Sequence, residues 1–152
     1  REDVGREMTR LLLMNGPNLN ILGQREPEIY GTTTLADIEA MVMDYARERG
    51  AELDCYQSNH EGALIDKIQQ SQGVYDGIVF NPGAYTHYSY AIHDAITSVD
   101  VPVVEIHISD ISKREDFRSK SVLVDACIGQ VKGLGKEGYL RAVDLVLEHL
   151  AQ

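Results

Sequence analysis

A carboxylate and an imidazole stand two residues apart in the segment Glu105-Ile-His107-Ile-Ser109. In an extended strand, alternation places Glu105, His107 and Ser109 on one face and the two isoleucines on the other. A carboxylate at this spacing can accept the imidazole N–H, fix its tautomer and keep the ring protonated near neutral pH. The pattern therefore predicts a general acid or base at His107; a purely structural histidine is the alternative.

Two further polar clusters each follow a short apolar run. Residues 15–31 begin NGPNLN and end YG, and a loop of this length in a compact domain is typical of a functional lid. Residues 81–87, NPGAYTH, combine an amide, an imidazole and backbone N–H groups near a predicted helix start, where anions and oxyanions bind. Ordinary turns are the alternative explanation of both clusters.

Two arginines follow the Glu105–His107 pair. Ser112 and Glu115 have the spacing of a capping box, which predicts a helix with Arg114 and Arg118 on one face. Such a pair could neutralise a substrate carboxylate or a developing enolate. A solvated charged face is the alternative.

Five apolar runs are the candidate strands that position these groups, and the helical patterns lie between them. The predicted strands cover residues 11–14, 53–56, 78–80, 103–106 and 122–124. Helical spacing of apolar residues predicts a first helix between Thr34, as N-cap, and Gly50, as stop. Ser58 and Glu61 predict a capping box for the second helix, and two more amphipathic segments follow.

This alternation predicts an α/β fold, specifically a flavodoxin-like three-layer sandwich with a five-stranded parallel sheet and helices on both faces. In such folds, ligands bind beyond the carboxyl ends of the strands. Functional groups should therefore follow strands, as the three clusters do.

Composition narrows the class of protein. The chain has 152 residues, 43% of them hydrophobic and 25% charged, with a net charge of −10 and no basic stripe, so we expect neither nucleic-acid nor membrane binding. Residues 1–10 lack periodicity and are predicted to be a tag remnant or disordered tail, with residues 11–152 forming a single catalytic domain. Thiols are favoured over a disulfide for Cys55 and Cys127, so a cytoplasmic location is expected.

Taken together, these segments resemble type II 3-dehydroquinate dehydratase from about Leu11 to Leu150. Six ordered blocks carry the resemblance: NGPNLNILG from Asn15, REPEIYG from Arg25, QSNHEG from Gln57, NPGAYTH from Asn81, EIHIS from Glu105 and REDFR from Arg114. Six blocks in order are very specific, whereas any single one is not.

The resemblance implies an anti elimination of water from 3-dehydroquinate, through an enolate, to give 3-dehydroshikimate without metal or cofactor. By motif position, Tyr30 is the expected base for the C2 proton, with Arg25 in the same mobile lid. Asn18 is expected to hold the water that stabilises the enolate. His107, oriented by Glu105, is expected to protonate the departing hydroxyl.

The resemblance also implies a substrate-binding set and an assembly. The substrate's hydroxyls and carboxylate are expected to contact Asn81, His87, Ser109 with the backbone of Ile108, and Arg118. Asp94 matches a residue that reaches a neighbouring subunit's site. The family is typically a homo-oligomer, a dodecamer of four trimers. Apart from the resemblance, the charge of Arg25 alone is marginal for ionising a tyrosine at neutral pH, so we hypothesise that Arg114 adds its charge to that of Arg25.

Two other functions remain open from the sequence. An acidic flavodoxin-like domain could bind FMN and carry electrons, but the loop after the first strand offers amides and a proline where a flavin phosphate needs hydroxyl donors. A non-catalytic assembly subunit would not need Tyr30, Arg25, Glu105 and His107 together. The dehydration would serve either aromatic biosynthesis or quinate breakdown.

Overall fold

Strands and helices alternate along residues 8–24 and 31–152, the part of the chain that this computed structural model describes. The strands are β1 (Thr9–Asn15), β2 (Ala51–Gln57), β3 (Gly77–Asn81), β4 (Val103–His107) and β5 (Gly129–Lys132). The α-helices are α1 (Leu35–Glu48), α2 (Glu61–Gln70), α3 (Tyr90–Thr97) and α4 (Gly138–Leu150).

All five strands are parallel and form one sheet in the order β2-β1-β3-β4-β5. This is the order of flavodoxin-like folds, and the predicted fold class is confirmed. After β1 the chain adds β2 on one side of β1 and then returns to add β3 on the other side of β1. The direction in which strands are added therefore reverses between β1 and β3. Ligand sites of such folds lie at that reversal, beyond the carboxyl ends of the strands.

The core lies on both faces of the sheet. On one face, Leu11 and Leu13 of β1 pack in a cluster with α1 and α4, and on the other, Leu12 and Met14 pack with α2 and α3. All four β1 side chains are fully buried. Since burying each such side chain contributes about 1.5–3 kcal/mol, an uninterrupted apolar run is stable only in a strand covered on both sides. This is why the run Leu11–Met14 predicts a strand that is buried on both faces.

The start of α1 follows the local sequence. The Thr34 side chain accepts a hydrogen bond from the Asp37 N–H while the Asp37 carboxylate accepts one from the Thr34 N–H, at 3.1 and 3.0 Å. Gly50, with a φ of 79°, follows the helix end. Both predicted ends of α1 are confirmed.

The capping box predicted from Ser58 and Glu61 is wrong. α2 begins after His60, whose side chain makes no capping hydrogen bond. The Ser58 hydroxyl accepts from the His60 N–H at 3.0 Å, and the Glu61 carboxylate accepts from the Ser89 hydroxyl at 2.5 Å. Glu61 thus joins α2 to the start of α3, because a tertiary partner competes with the local backbone for its carboxylate.

The strand predicted at residues 122–124 is also wrong. Val122 donates its N–H to the Thr86 carbonyl, Leu123 is buried against the α2–α3 face, and a short 3-10 turn follows. The fifth strand is Gly129–Lys132, in which only Val131 is buried. A strand on the sheet's edge needs few apolar residues, so its hydrophobic pattern is weak.

β1 begins at Thr9, before the predicted start at Leu11. Thr9 and Arg10 pair with Ala51 and Glu52 of β2, and the Arg10 N–H donates to the Asp76 carboxylate at 2.8 Å. These two residues, which lie in the predicted tail, therefore belong to the sheet. Residues 1–7 lie outside the described part of the chain. Within that part, no helix combines the length and apolar character needed to cross a membrane.

Candidate active site

Three neighbouring strands each have a polar residue as their last residue. These residues lie together at the carboxyl ends of the strands, here called the carboxyl edge of the sheet. Asn15 ends β1, Asn81 ends β3 and His107 ends β4. Asn15 and Asn81 are register partners, and all three are buried. The site therefore lies where the order of the strands reverses direction. This position agrees with the prediction that functional groups follow strands.

The predicted pairing of Glu105 with His107 is present. His107 Nε2 lies 2.5 Å from a Glu105 carboxylate oxygen, with Glu105 fully buried and His107 5% exposed. The Thr86 hydroxyl donates to the same oxygen, and the Ser121 hydroxyl donates to the other at 2.9 Å. Nδ1 of His107 has no hydrogen-bond partner among the described residues, so it is the ring nitrogen available to a substrate.

The surroundings of Glu105 keep it ionised. Burial by itself raises the pKa of this carboxyl, but hydrogen bonds from His107, Thr86 and Ser121, with the charge of His107, outweigh burial and lower the pKa below its ordinary value. A buried carboxylate with three donors is satisfied, and it holds the imidazole in one orientation.

The lowered pKa of Glu105 predicts a pH-dependent contribution to stability. A carboxyl whose pKa is lower in the folded chain stabilises it above the unfolded-state pKa, about 4.3, and this contribution is lost as pH falls through the folded pKa. We expect Glu105→Gln to lower the free energy of unfolding by about 2 kcal/mol at pH 7, with the difference from wild type shrinking below about pH 4. Urea unfolding between pH 7 and 3 measures both.

The exposed Glu52 on β2 is the matched control, and Glu52→Gln should change the free energy of unfolding little at any pH. A Glu105→Gln penalty that stays constant from pH 7 to pH 3 would show that the ionised carboxylate is not what the network stabilises.

The loops after β1 and β3 are in direct backbone contact. Gly16 donates its N–H to the Asn81 carbonyl at 2.8 Å, and a Cβ on Gly16 would lie 2.5 Å from the Pro82 carbonyl oxygen. Gly83 has a φ of 61°, and its Cβ would lie 3.1 Å from the Pro17 carbonyl oxygen. Glycine is required at Gly16, where a side chain would collide with the backbone of the other loop, and it is favoured at Gly83 by the positive φ and the tight contact with Pro17.

Asn18 has a strained backbone conformation. Its φ of 70° is left-handed, and no other non-glycine residue in the described part of the chain has a positive φ. Asn tolerates this region better than most residues, and strain of about 1–3 kcal/mol is typical of functional positions. The Asn18 N–H donates to the Asn59 side chain at 3.0 Å, which also accepts from Gln57 at 3.1 Å. The QSNHEG block thus supports the Asn18 loop, a role that the sequence does not reveal.

The predicted helix carrying Arg114 and Arg118 is absent. Two 3-10 turns, Ile111–Lys113 and Asp116–Arg118, replace it. The Ser112 N–H and hydroxyl both donate to the Asp110 carboxylate, at 3.1 and 2.6 Å, and such local side-chain bonds compete with helix formation. Both arginines are exposed, and Arg118 Nε lies 3.5 Å from Glu115.

The remaining predicted binding residues are spread around the same edge. His87 Nδ1 lies 2.8 Å from the Lys120 carbonyl oxygen, and the exposed Ser109 follows the end of β4. The Ile108 carbonyl accepts from the Gly135 N–H at 3.0 Å. Asp94 is on α3 with its side chain 81% exposed. Arg25 and Tyr30 lie outside the described residues.

Three site residues have no role in the sequence-based prediction. Thr86 and Ser121 bind the Glu105 carboxylate, and Tyr139 of α4 bonds both Asn15 and Asn81, at 2.6 and 2.9 Å. Thr86 lies inside a predicted cluster. Ser121 and Tyr139 carry no local signal, because only the folded chain brings them to this edge.

Cysteine chemistry is not available here. Cys55 and Cys127 are free and pack against opposite faces of the sheet. Burial raises the pKa of each thiol to about 12, so neither is a thiolate at neutral pH.

Within residues 8–24 and 31–152, no three His, Cys, Asp or Glu side chains converge, so these residues offer no set of ligands for a metal ion.

A cavity of about 440 Å³ is lined by Tyr75, Asp76, Asp100 and His149, among others. It lies near the amino ends of β3 and β4, away from the edge at which parallel sheets bind ligands.

Known proteins resemble this chain over nearly its whole length. Residues 9–147 match the family described as dehydroquinase class II. A 3-dehydroquinate dehydratase of Anoxybacillus flavithermus is 57% identical over 141 residues, which cover 93% of this chain and 95% of that protein.

Two crystal structures of type II dehydroquinases share the fold. That from Butyrivibrio crossotus superposes with a TM-score of 0.88 at 49% identity, covering 92% of this chain and 98% of the other. That from Propionibacterium acnes has a TM-score of 0.86 at 40% identity, with 93% and 99% covered.

Proposed function

The chain belongs to the class II dehydroquinase family of hydro-lyases, and from this premise we propose that it dehydrates 3-dehydroquinate to 3-dehydroshikimate. The buried Glu105–His107 pair carries the proposal. Glu105 holds Nε2 of the imidazole, and Nδ1 is left for the substrate at the carboxyl edge of the sheet. An imidazolium in this position can protonate a departing hydroxyl, which is a poor leaving group unless it receives a proton.

The proposed reaction is an anti elimination in two steps. Tyr30, as phenolate, removes the C2 proton, and the electron pair of the C–H bond moves into the ketone to form an enolate. The enolate then re-forms the carbonyl and a new C=C bond while the C–O bond breaks, and the hydroxyl leaves as water with a proton from His107. The roles of Tyr30 and Arg25 rest on the REPEIYG block, since both lie outside the described residues.

The oxyanion of the enolate needs a hydrogen-bond donor that is in place before the reaction. We assign this to a water held by Asn18. The strained backbone of Asn18, supported by Asn59, is consistent with an asparagine that is held in position and does not move to reach its ligand.

Substrate binding is assigned to residues around this edge. Asn81 and His87 on the loop after β3, with Ser109 and the backbone of Ile108 after β4, are proposed to hold the hydroxyls and the carboxylate. Arg118 is proposed to neutralise the carboxylate, and Arg114 to support the phenolate together with Arg25. Both arginines are exposed, Arg118 at the end of a 3-10 turn and Arg114 just before that turn, so each guanidinium is accessible to a ligand.

Assembly and location are part of the same proposal. We propose a single catalytic domain that includes β1 from Thr9 onward and assembles as a dodecamer of four trimers. The Asp94 side chain, 81% exposed in one subunit, is proposed to reach a neighbouring subunit's site. The free thiols of Cys55 and Cys127 suit the reducing cytoplasm.

Mixing the purified protein with 3-dehydroquinate in the presence of EDTA tests the function. We expect a rapid rise in the ultraviolet absorbance of a conjugated enone, since the proposed reaction uses no metal. No rise would refute the dehydratase assignment, and a rise that EDTA suppresses would refute the metal-free mechanism. A yellow protein with a flavin spectrum and no dehydration would favour the FMN-binding alternative.

A further inference from the structure

A buried chain of hydrogen bonds links the carboxyl ends of β1 and β3 through α4. Gly83 donates its N–H to Asn81 Oδ1 at 3.1 Å, and Asn81 Nδ2 donates to the Tyr139 hydroxyl at 2.9 Å. The Tyr139 hydroxyl donates in turn to Asn15 Oδ1 at 2.6 Å. Asn15 and Tyr139 are fully buried, and Asn81 is 4% exposed.

The donor and acceptor of every hydrogen bond in this series follow from the first donor, the Gly83 N–H. A backbone N–H can only donate, so Gly83 makes Oδ1 the acceptor of Asn81 and turns Nδ2 toward Tyr139. The phenol oxygen accepts this bond, and its own hydrogen goes to Asn15. The Asn81 amide therefore has one orientation, with one Nδ2 hydrogen and one Oδ1 lone pair left for a ligand.

Asn15, at the far end of this series of hydrogen bonds, indicates that stability alone does not explain the network. Asn15 Nδ2 is buried without a hydrogen-bond partner in the described residues. Such a donor costs about 1–3 kcal/mol, which an apolar side chain at this position would avoid. Burial also raises the pKa of Tyr139, so the phenol stays a neutral donor at any pH at which the protein works.

We propose that Tyr139 is a positioning residue for substrate binding: its buried hydroxyl holds the Asn81 amide in the orientation that receives the substrate. This rests on the proposed function, in which Asn81 contacts 3-dehydroquinate. Tyr139 lies on the first turn of α4 and is fully buried, so it acts through Asn81 and does not touch the substrate. Pre-orienting a binding group lowers the entropic cost of binding.

Tyr139→Phe removes the hydroxyl and keeps the ring. Because it removes one neutral hydrogen bond from Asn81, we expect KM for 3-dehydroquinate to rise about five- to tenfold, with kcat changed less than about threefold. Tyr45→Phe is the matched control. The Tyr45 hydroxyl also joins a side chain across the domain, donating to Asp144 of α4 at 2.9 Å, but it lies away from the site. Its kinetic constants should equal those of wild type.

A double-mutant cycle with Asn81→Ala separates positioning from a merely structural role. If Tyr139 acts through Asn81, Tyr139→Phe should raise KM no further once the Asn81 amide is gone. Full additivity, or a Tyr139→Phe KM equal to wild type, would overturn the inference while leaving the dehydratase function intact. If Asn81→Ala leaves KM unchanged, the inference is overturned as well, and with it the binding role of Asn81.

Circular dichroism and thermal unfolding show whether each variant folds. Should Tyr139→Phe fail to fold, Asn15→Ala removes the acceptor of the Tyr139 hydroxyl and enters the same cycle, where a wild-type KM overturns the inference. Absence of dehydration by the wild-type protein is the separate result that defeats the proposed function itself, and the positioning role with it.

Discussion

Replacing Tyr30 by Phe is expected to abolish turnover of 3-dehydroquinate while leaving its binding nearly unchanged. The substitution removes one oxygen atom, which the proposed reaction uses as the base at C2. No other step of the reaction can proceed until that proton has left, so the rate should fall to the limit of detection. The aromatic ring is retained, so binding is expected to change little.

The size of the effect follows from the chemistry of a phenol. A tyrosine ordinarily titrates near pH 10, so about 4 kcal/mol must favour the phenolate before it can act at neutral pH. One adjacent cation supplies only part of this, which is the reason for assigning both Arg25 and Arg114 to the phenolate. Arg114 is exposed and has no ion-pair partner in the described residues, so its charge is available for this role.

Steady-state assays and calorimetric titration with 3-dehydroquinate measure the two parts of this prediction. Tyr75→Phe is the matched control, because the Tyr75 hydroxyl donates to Asp54 of β2 and Tyr75 precedes the amino end of β3, away from the site. A Tyr30→Phe variant that retains a tenth or more of the wild-type rate would falsify the assignment of Tyr30 as the base.

His107→Ala is expected to stop net dehydration while preserving exchange of the C2 proton with solvent far better. The proposed enolate forms before the hydroxyl leaves, so the loss of the acid blocks only the second step. General acid catalysis contributes about 10²–10⁴-fold, and we expect dehydration to fall in that range. Exchange in deuterated water, followed by NMR, measures the first step separately.

The controls for His107 address its structural contacts. Removing the imidazole leaves the buried Glu105 with one donor fewer, so His107→Gln, whose amide can still donate to Glu105, tests whether lost rate reflects lost structure. His149→Ala, at the exposed end of α4, should match wild type. Equal loss of exchange and dehydration in His107→Ala would contradict a separate acid role.

Local sequence is sufficient for those parts of this protein in which short-range energetics dominate. The run Leu11–Met14 can be stable only between two layers, and Thr34 with Asp37 forms a helix start from bonds within four residues. Strand alternation brings Glu105 and His107 together without help from the rest of the chain. The fold class and the pair that anchors the proposed mechanism therefore follow from short-range patterns alone.

Only the tertiary structure decides those features that depend on hydrogen-bonding or packing partners far away in the sequence. Glu61 accepts a hydrogen bond from the distant Ser89 and makes no cap on its own helix, and the fifth strand forms around Val131 with little hydrophobic signal. The missing helix is different, because there the competing bond, from Ser112 to Asp110, is local. The hydrogen-bond partners of Glu105 and Asn81 include Ser121 and Tyr139, which are 16 and 58 residues away from them in the chain. Sequence spacing carries no trace of such bonds, because they exist only once the sheet and its helices have packed.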